Sequence, residues 1–221
     1  MPKRRDNFYP RISAFTNLWY AYRDAARGKR AKPEVARFGF HVEERLLELE
    51  RDLAARTYRP GTYHSFYIRD PKRRLISAAP FRDRVVHHAL CRIIEPPFNT
   101  GFIGDSYANR VGKGTHAALD RAQHFARRYR YVLQCDVREY FPSIDHAILK
   151  GILARRIACA DTLALCGHII DGGAGVLARF AVGGSRRGTC RNGSALADGA
   201  GPGGRSGDRY RYATVTVIRS E

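Results

Sequence analysis

At 221 residues the chain has room for one ordinary domain, or for one and a fragment, and a hydrophobic share of 44% argues against wholesale disorder. A formal charge of +18 with a pI near 10.3 favours a polyanionic partner, because each phosphate neutralised by Lys or Arg releases condensed counterions. No apolar run approaches the ~20 residues of a spanning helix, and MPKRRDNFYPRISAF lacks the apolar core of a secretory signal, so a soluble, cytoplasmic nucleic-acid protein is expected.

Residues 1–33 interleave Phe8, Tyr9, Phe15, Trp19, Tyr20 and Tyr22 with arginines, which suits base stacking and phosphate contact. Phe15, Leu18, Trp19 and Tyr22 also fall at helical spacing, so packing accounts for them equally well. From Glu34 to Arg56, Val35, Phe38, Val42, Leu46, Leu49 and Leu53 recur every three or four positions, predicting one amphipathic helix with Pro33 at its start. Tyr63, Ser65, Tyr67 and Ile68 predict a strand that turns at Asp70-Pro71 and returns over Arg73 to Ala78 as a hairpin. Asp83 to Ile94 reads as a helix stopped by Pro96-Pro97, and Thr115 to Tyr129 as another with a Leu119, Ala122, Phe125, Tyr129 stripe. A short strand over Tyr131 to Val137 and a helix over Ile144 to Ile157 follow. The five cysteines include no C-x-x-C pair, so buried reduced thiols are expected, with Cys135 packed beside Asp136.

The strongest local signal is LQCDVREYFPSIDH, in which a strand delivers Asp136 at its end and Tyr140 and Phe141 follow in a turn. Two-metal polymerases need a carboxylate on a rigid strand, because Mg²⁺–oxygen distances of ~2.0–2.1 Å tolerate little play. An ordinary Asp at a strand end beside a core Phe would read the same. Upstream lie KRRLISAAPFRDRVVHHAL and then DSYANRVGKGTHAAL, in that order.

Together the three blocks, over roughly residues 63–157, resemble bacterial retroelement reverse transcriptases, the group of intron-encoded, retron and diversity-generating enzymes. The first resembles their fingers hairpin. The second matches the box S-Y-x-x-R-x-G-[RK]-[GS]-x-H-x-A at Ser106, Tyr107, Arg110, Gly112, Lys113, Gly114, His116 and Ala118; the third matches D-x-x-x-[YF]-F. The wording RLISAAPFRDRVVHHAL leans toward the diversity-generating or unclassified enzymes rather than the intron-encoded ones.

The resemblance implies an α+β fold, with right-hand polymerase fingers and the start of the palm built from helices and a small antiparallel sheet. It implies a basic helical extension over 1–60, fingers over 61–130, the first catalytic palm motif over 131–171 and a disordered Gly/Arg-rich tail over 172–221. Asp136 would hold catalytic Mg²⁺, assisted by the Val137 carbonyl; Tyr140 and Phe141 would contact the nucleotide, with Phe141 excluding a ribose 2′-hydroxyl. Lys72, Arg73 and Arg74 are the candidates for the triphosphate, and Arg110 and Lys113 touch the template backbone or brace the fingers. Any one of these bases could equally be a solvated surface charge. RNA template, DNA primer, deoxynucleotides and an accessory protein are the implied partners. His87 and His88 read as helix-face or core residues, and Asp145 as a helix cap.

The family's second catalytic motif, Y-x-D-D, has no counterpart, since no two aspartates are adjacent in the sequence. One carboxylate cannot hold two Mg²⁺ ions in line for nucleotidyl transfer. The last fifty residues hold 12 of the 21 glycines without any period, which predicts that the ordered protein ends near Asp171. Shifted by one nucleotide, codons for Leu196 to Gly199 can read Leu-Pro-Met-Gly, near where the family places L-P-x-G. The expectation is therefore a polymerase segment frameshifted after Asp171 and inactive alone, with a non-catalytic RNA-binding module as the alternative. A different metal nuclease lacks a second acidic cluster, because the acids between Glu43 and Asp52 fall at the spacing of solvated i,i+4 pairs.

Overall fold

The computed structural model describes residues 5–135, 137, 140, 143–181 and 214–216, apart from the side chains of 70, 72, 74, 174–181 and 214–216. In chain order the elements are α1 (Tyr9–Ser13), α2 (Phe15–Ala26), α3 (Pro33–Phe40), α4 (Val42–Ala54), β1 (His64–Asp70), β2 (Lys72–Ala78), α5 (Phe81–Asn99), α6 (Thr115–Arg128), β3 (Leu133–Cys135), α7 (His146–Ala154), α8 (Ala160–Ala181) and β4 (Thr214–Thr216). Among the described residues the architecture is α+β, mostly helical, with two antiparallel two-stranded sheets. The chain divides into one unit of residues 1–102 and 140–182 and a second of residues 103–139 and 183–221.

The core of the first unit is made by helices brought together from both ends of its sequence. Ile12, Leu18, Leu46, Leu49, Leu53, Val85, Val86 and Ile157 are fully buried, each worth about 1.5–3 kcal/mol relative to exposure. Of the two readings of the N-terminal aromatics, packing accounts for all but Tyr20, which is exposed: Phe8 and Tyr9 are buried, and Phe15, Trp19 and Tyr22 pack against the same cluster. The Tyr9 hydroxyl donates to the Leu53 carbonyl at 2.7 Å. Asn17 on α2 donates to the carbonyls of Ile12 (3.1 Å) and Ala89 (3.0 Å), tying α1 to α5. The first N–H of α2, which no helical carbonyl can accept, is taken by the Glu50 carboxylate of α4 at 2.9 Å.

Three sequence expectations need correction here. The helix expected over Glu34 to Arg56 is two helices, broken at His41, where φ is −118° and ψ 39°. The break follows from packing: Phe38 stacks on Tyr22 and meets Phe81 edge-on, whereas Leu46, Leu49 and Leu53 face the α1–α2 side of the core. Pro96 and Pro97 do not stop α5, which runs to Asn99. They fall in its last turn, where few ladder bonds remain to lose, and Thr100 and Arg156 both donate to the Pro97 carbonyl. Finally α8 continues ten residues beyond Asp171, its first half anchored by buried Thr162, Leu165 and Cys166.

α4 ends in a left-handed residue, Arg56 (φ +59°), whose guanidinium then grips Asp161 at the start of α8 through two hydrogen bonds of 2.8 and 2.6 Å. Asp145 caps α7, accepting from the Ile148 N–H at 2.9 Å, in the helix-capping role its position suggests.

In the second unit α6 spans nearly the stretch expected. The strand before Asp136 is only three residues long and pairs antiparallel with β4. The cysteines also depart from expectation: Cys166 is buried and Cys159 half-buried, but Cys91 and Cys135 are exposed, and Cys190 lies outside the described residues. Cys135 is exposed because all three residues of its short strand are.

Candidate nucleic-acid interface

The hairpin of β1 and β2 stands on a buried carboxylate. Tyr58 to Gly61 leads into the hairpin and Ala79-Pro80 leads out into α5. In the first turn of α5, Asp83 is 1% exposed. It accepts the Tyr58 hydroxyl at 2.9 Å and the Gly61 N–H at 2.7 Å, so one side chain joins the two legs. An acid in a helix's first turn also sits favourably against the helix dipole. Gly61 is required there by close approach, because a Cβ would lie 3.1 Å from Pro80 Cγ and 3.3 Å from Asp83 Oδ2.

The electrostatics follow from burial. Desolvation, then the Asp83 charge, pushes the Tyr58 hydroxyl far above its ordinary range, and the same two causes raise Tyr63. Burial holds the His87 imidazole below the ordinary histidine range against the opposing pull of Asp83, which suits a core residue rather than a ligand. Arg82 pairs with Asp52 and lies 5.1 Å from the Tyr58 ring centroid, and Arg84 pairs with Glu34.

Above this base the ladder is regular, with Ser65 opposite Ser77, Tyr67 opposite Leu75 and Arg69 opposite Arg73. Residues opposite one another share a face. One face therefore carries Ser65, Tyr67 and Arg69 with Arg73, Leu75 and Ser77. Its two serine hydroxyls are 2.8 Å apart, and the Arg73 guanidinium lies 3.9 Å from the centroid of the diagonal Tyr67 ring. Tyr67, Arg69 and Arg73 are exposed. Arg69 and Arg73 are like charges directly opposed, which costs stability by itself. Among the described residues no carboxylate lies within ion-pair distance of either. Such a pair is stabilised by a polyanion. Lys72 and Arg74 flank Arg73 in β2, but their side chains lie outside the described residues. Sequence reading missed Arg69; the ladder register, fixed by the turn at Pro71, is the signal that finds it.

The second motif block, in the other unit, is braced from within. Asn109 (φ +55°), Gly112 (+75°) and Gly114 (+104°) turn the backbone through conformations that favour glycine or asparagine. Arg110 donates to the carbonyls of Ile103 (3.0 Å) and Ser106 (3.2 Å), and Lys113 donates to Gly104 while lying 4.8 Å from the Tyr107 ring centroid. Tyr107 donates to Asp105 at 3.0 Å, and Arg121 holds the same carboxylate at 2.9 Å. These bonds hold the loop shape that leads into α6.

The third block is described only in part. Asp136 and Phe141 lie outside the described residues. Val137 and Tyr140 are 59% and 56% exposed, and the Tyr140 carbonyl accepts from the Ser143 hydroxyl at 2.8 Å in a turn before α7. Among the described residues no three His, Cys, Asp or Glu side chains gather as a metal-binding group. No helix among the described residues is long and apolar enough to cross a membrane.

A basic, mostly helical chain with an exposed cationic hairpin defines a class of surface suited to polyanions, and its relatives narrow that class. No protein-family model matches the chain. Protein YkfC of Escherichia coli K12 is 29% identical over 135 residues, 58% of this chain and 35% of that protein. The group II intron-encoded protein LtrA of Lactococcus lactis is 25% identical over 118 residues, 52% of this chain and 20% of that protein. Nuclear intron maturase 1, mitochondrial, of Arabidopsis thaliana is 28% identical over 85 residues, 38% of this chain and 12% of that protein. The chain spans about a third or less of the length of these curated relatives, and its similarity to intron proteins is distant. Two of these three are intron proteins by name.

Proposed function

We propose that the chain is the fingers and first palm segment of an RNA-directed DNA polymerase related to intron-encoded proteins, and that these 221 residues serve it by binding RNA. The observation that carries the reading is the exposed hairpin face on which Arg69 and Arg73 oppose each other beside Tyr67. Phosphates relieve that repulsion, and the Tyr67 ring holds the Arg73 guanidinium in place for them. The order of the three motif blocks and the distant similarity to intron proteins support the polymerase lineage.

Within this reading Lys72, Arg73 and Arg74 meet the phosphates of template or incoming nucleotide, and Arg110 and Lys113 keep the second block in shape beside the template. Asp136 with the Val137 carbonyl is the chain's contribution to a Mg²⁺ site, and Tyr140 and Phe141 its contribution to the nucleotide pocket. The sequence holds no paired aspartates to complete that site, so RNA contact is the activity expected of the chain by itself.

The test is RNA binding and primer extension measured on one preparation. The chain binds single-stranded RNA with salt-dependent affinity, and it does not extend a DNA primer on an RNA template with Mg²⁺ and deoxynucleotides. Extension that vanishes in Asp136→Ala overturns the binding-only part. Absence of RNA binding at about 50 mM salt, where phosphate contacts are strongest, overturns the whole reading.

A further inference from the structure

We infer that the C-terminal end of α6 is a second contact for single-stranded RNA, formed by the run Arg127-Arg128-Tyr129-Arg130-Tyr131 in the second unit. The inference rests on the RNA-binding reading above and adds to it a site that neither the motif blocks nor the relatives assign.

Three observations converge on this run. The first is charge: Arg127, Arg128 and Arg130 are exposed, and among the described residues no carboxylate lies within ion-pair distance of any of them. Two cations in the last turn of a helix are explained by its dipole, but Arg130 lies beyond the helix. The second is aromatic surface. Tyr131 is 78% exposed, a large apolar ring left in water. Phe125 and Tyr129 lie with centroids 6.0 Å apart, and Arg121 and Arg128 stand 4.3 and 5.9 Å from their respective ring centroids. Two neighbouring rings, each with a guanidinium group beside it, thus line the helix end. The third is backbone. Tyr129 ends α6 in an extended conformation (φ −116°, ψ 139°), its N–H still bonded to the Phe125 carbonyl at 2.9 Å. The run therefore leaves the helix on a fixed path.

Chemistry selects the ligand. Arginines alone would take any polyanion, including duplex RNA or an acidic protein surface. The exposed Tyr131 beside them adds a π-face that unpaired bases can use, which favours a single strand. The arginines hold the phosphates, and Tyr131 stacks a base.

The experiment titrates the 221-residue chain against a fluorescein-labelled oligo(U) of about 12 nucleotides, within the span of one single-strand site. Variants are Arg127→Ala/Arg128→Ala/Arg130→Ala together and Tyr131→Ala alone. All four positions are on the surface, and circular dichroism checks that the fold is kept. The triple variant is expected to flatten the log Kd against log salt slope by about 2, at about 0.7 per phosphate for single strands. Tyr131→Ala is expected to weaken single-strand binding about fivefold or more, the loss of one stacked base, and to leave an RNA duplex of equal length unaffected. If wild type binds RNA and the triple variant keeps the same slope, this site is wrong and the proposed function stands. If Tyr131→Ala weakens duplex and single strand alike, or neither, the single-strand assignment is overturned. If wild type binds no RNA, both readings fall together.

Discussion

Replacing Asp83 with alanine removes one side chain and strands two donors. The Tyr58 hydroxyl, 2.9 Å away and buried, and the Gly61 N–H, 2.7 Å away, both lose an ionised acceptor. Hydrogen bonds to a charged group contribute about 1.5–3 kcal/mol each, and an abandoned buried donor keeps its full desolvation cost. The Gly61 N–H is only partly buried and recovers some water. Arg82 retains Asp52, so the loss does not spread along that ion pair. The sum is about 3–5 kcal/mol, a large value among point substitutions. Urea unfolding followed by far-UV circular dichroism measures it. Tyr58→Phe, which takes one donor from the buried Asp83 carboxylate, should cost about 1.5–3 kcal/mol, and the double variant should cost clearly less than the two added. A loss below about 1 kcal/mol for Asp83→Ala, or simple additivity in the cycle, would refute the idea that this carboxylate holds the hairpin's base.

Three further outcomes follow from named groups. Because burial depresses the His87 pKa, the unfolded chain accepts a proton that the folded chain refuses. Stability is therefore lost as pH falls through about 6.5, the unfolded value, and His87→Leu should flatten that loss between about pH 7 and 5.5; an unchanged slope would contradict it. Gly114 has φ +104° with no atom near its absent Cβ, so Gly114→Ala should cost about 1–3 kcal/mol of unfolding free energy through backbone strain alone; a neutral result would mean that the loop relaxes. With a thiol reagent at neutral pH, Cys135→Ser should remove a fast-reacting group, whereas Cys166→Ser should remove none. The Cys166 thiol is buried and its pKa pushed up to about 11.

What could be read in advance was periodicity. Alternation across Tyr63 to Ala78 revealed the hairpin, and the three-to-four spacing of Leu46, Leu49 and Leu53 revealed the helix that contains them. What could not be read was the packing that overrides a local rule. The Pro96-Pro97 pair looks like a stop, yet it costs little in a last turn whose carbonyls find Thr100 and Arg156. His41 breaks a continuous stripe because its two halves pack against different partners. Asp83 carries no local mark at all; its role appears only when Tyr58 and Gly61, more than twenty residues upstream, come within hydrogen-bond reach. The interface was legible in the same uneven way. Arg73 was visible as one of three basic neighbours, but its pairing with Arg69 depends on register, which a single turn residue decides.

The salt dependence of RNA binding by a hairpin variant tests the central claim most directly. Arg69→Ala/Arg73→Ala leaves the buried base untouched and removes two exposed charges. Over about 50–200 mM salt its log Kd against log salt slope should be shallower than wild type by about 1.4, two phosphates at about 0.7 each. A slope equal to wild type, with RNA still bound, would contradict the claim that this face of the hairpin meets RNA.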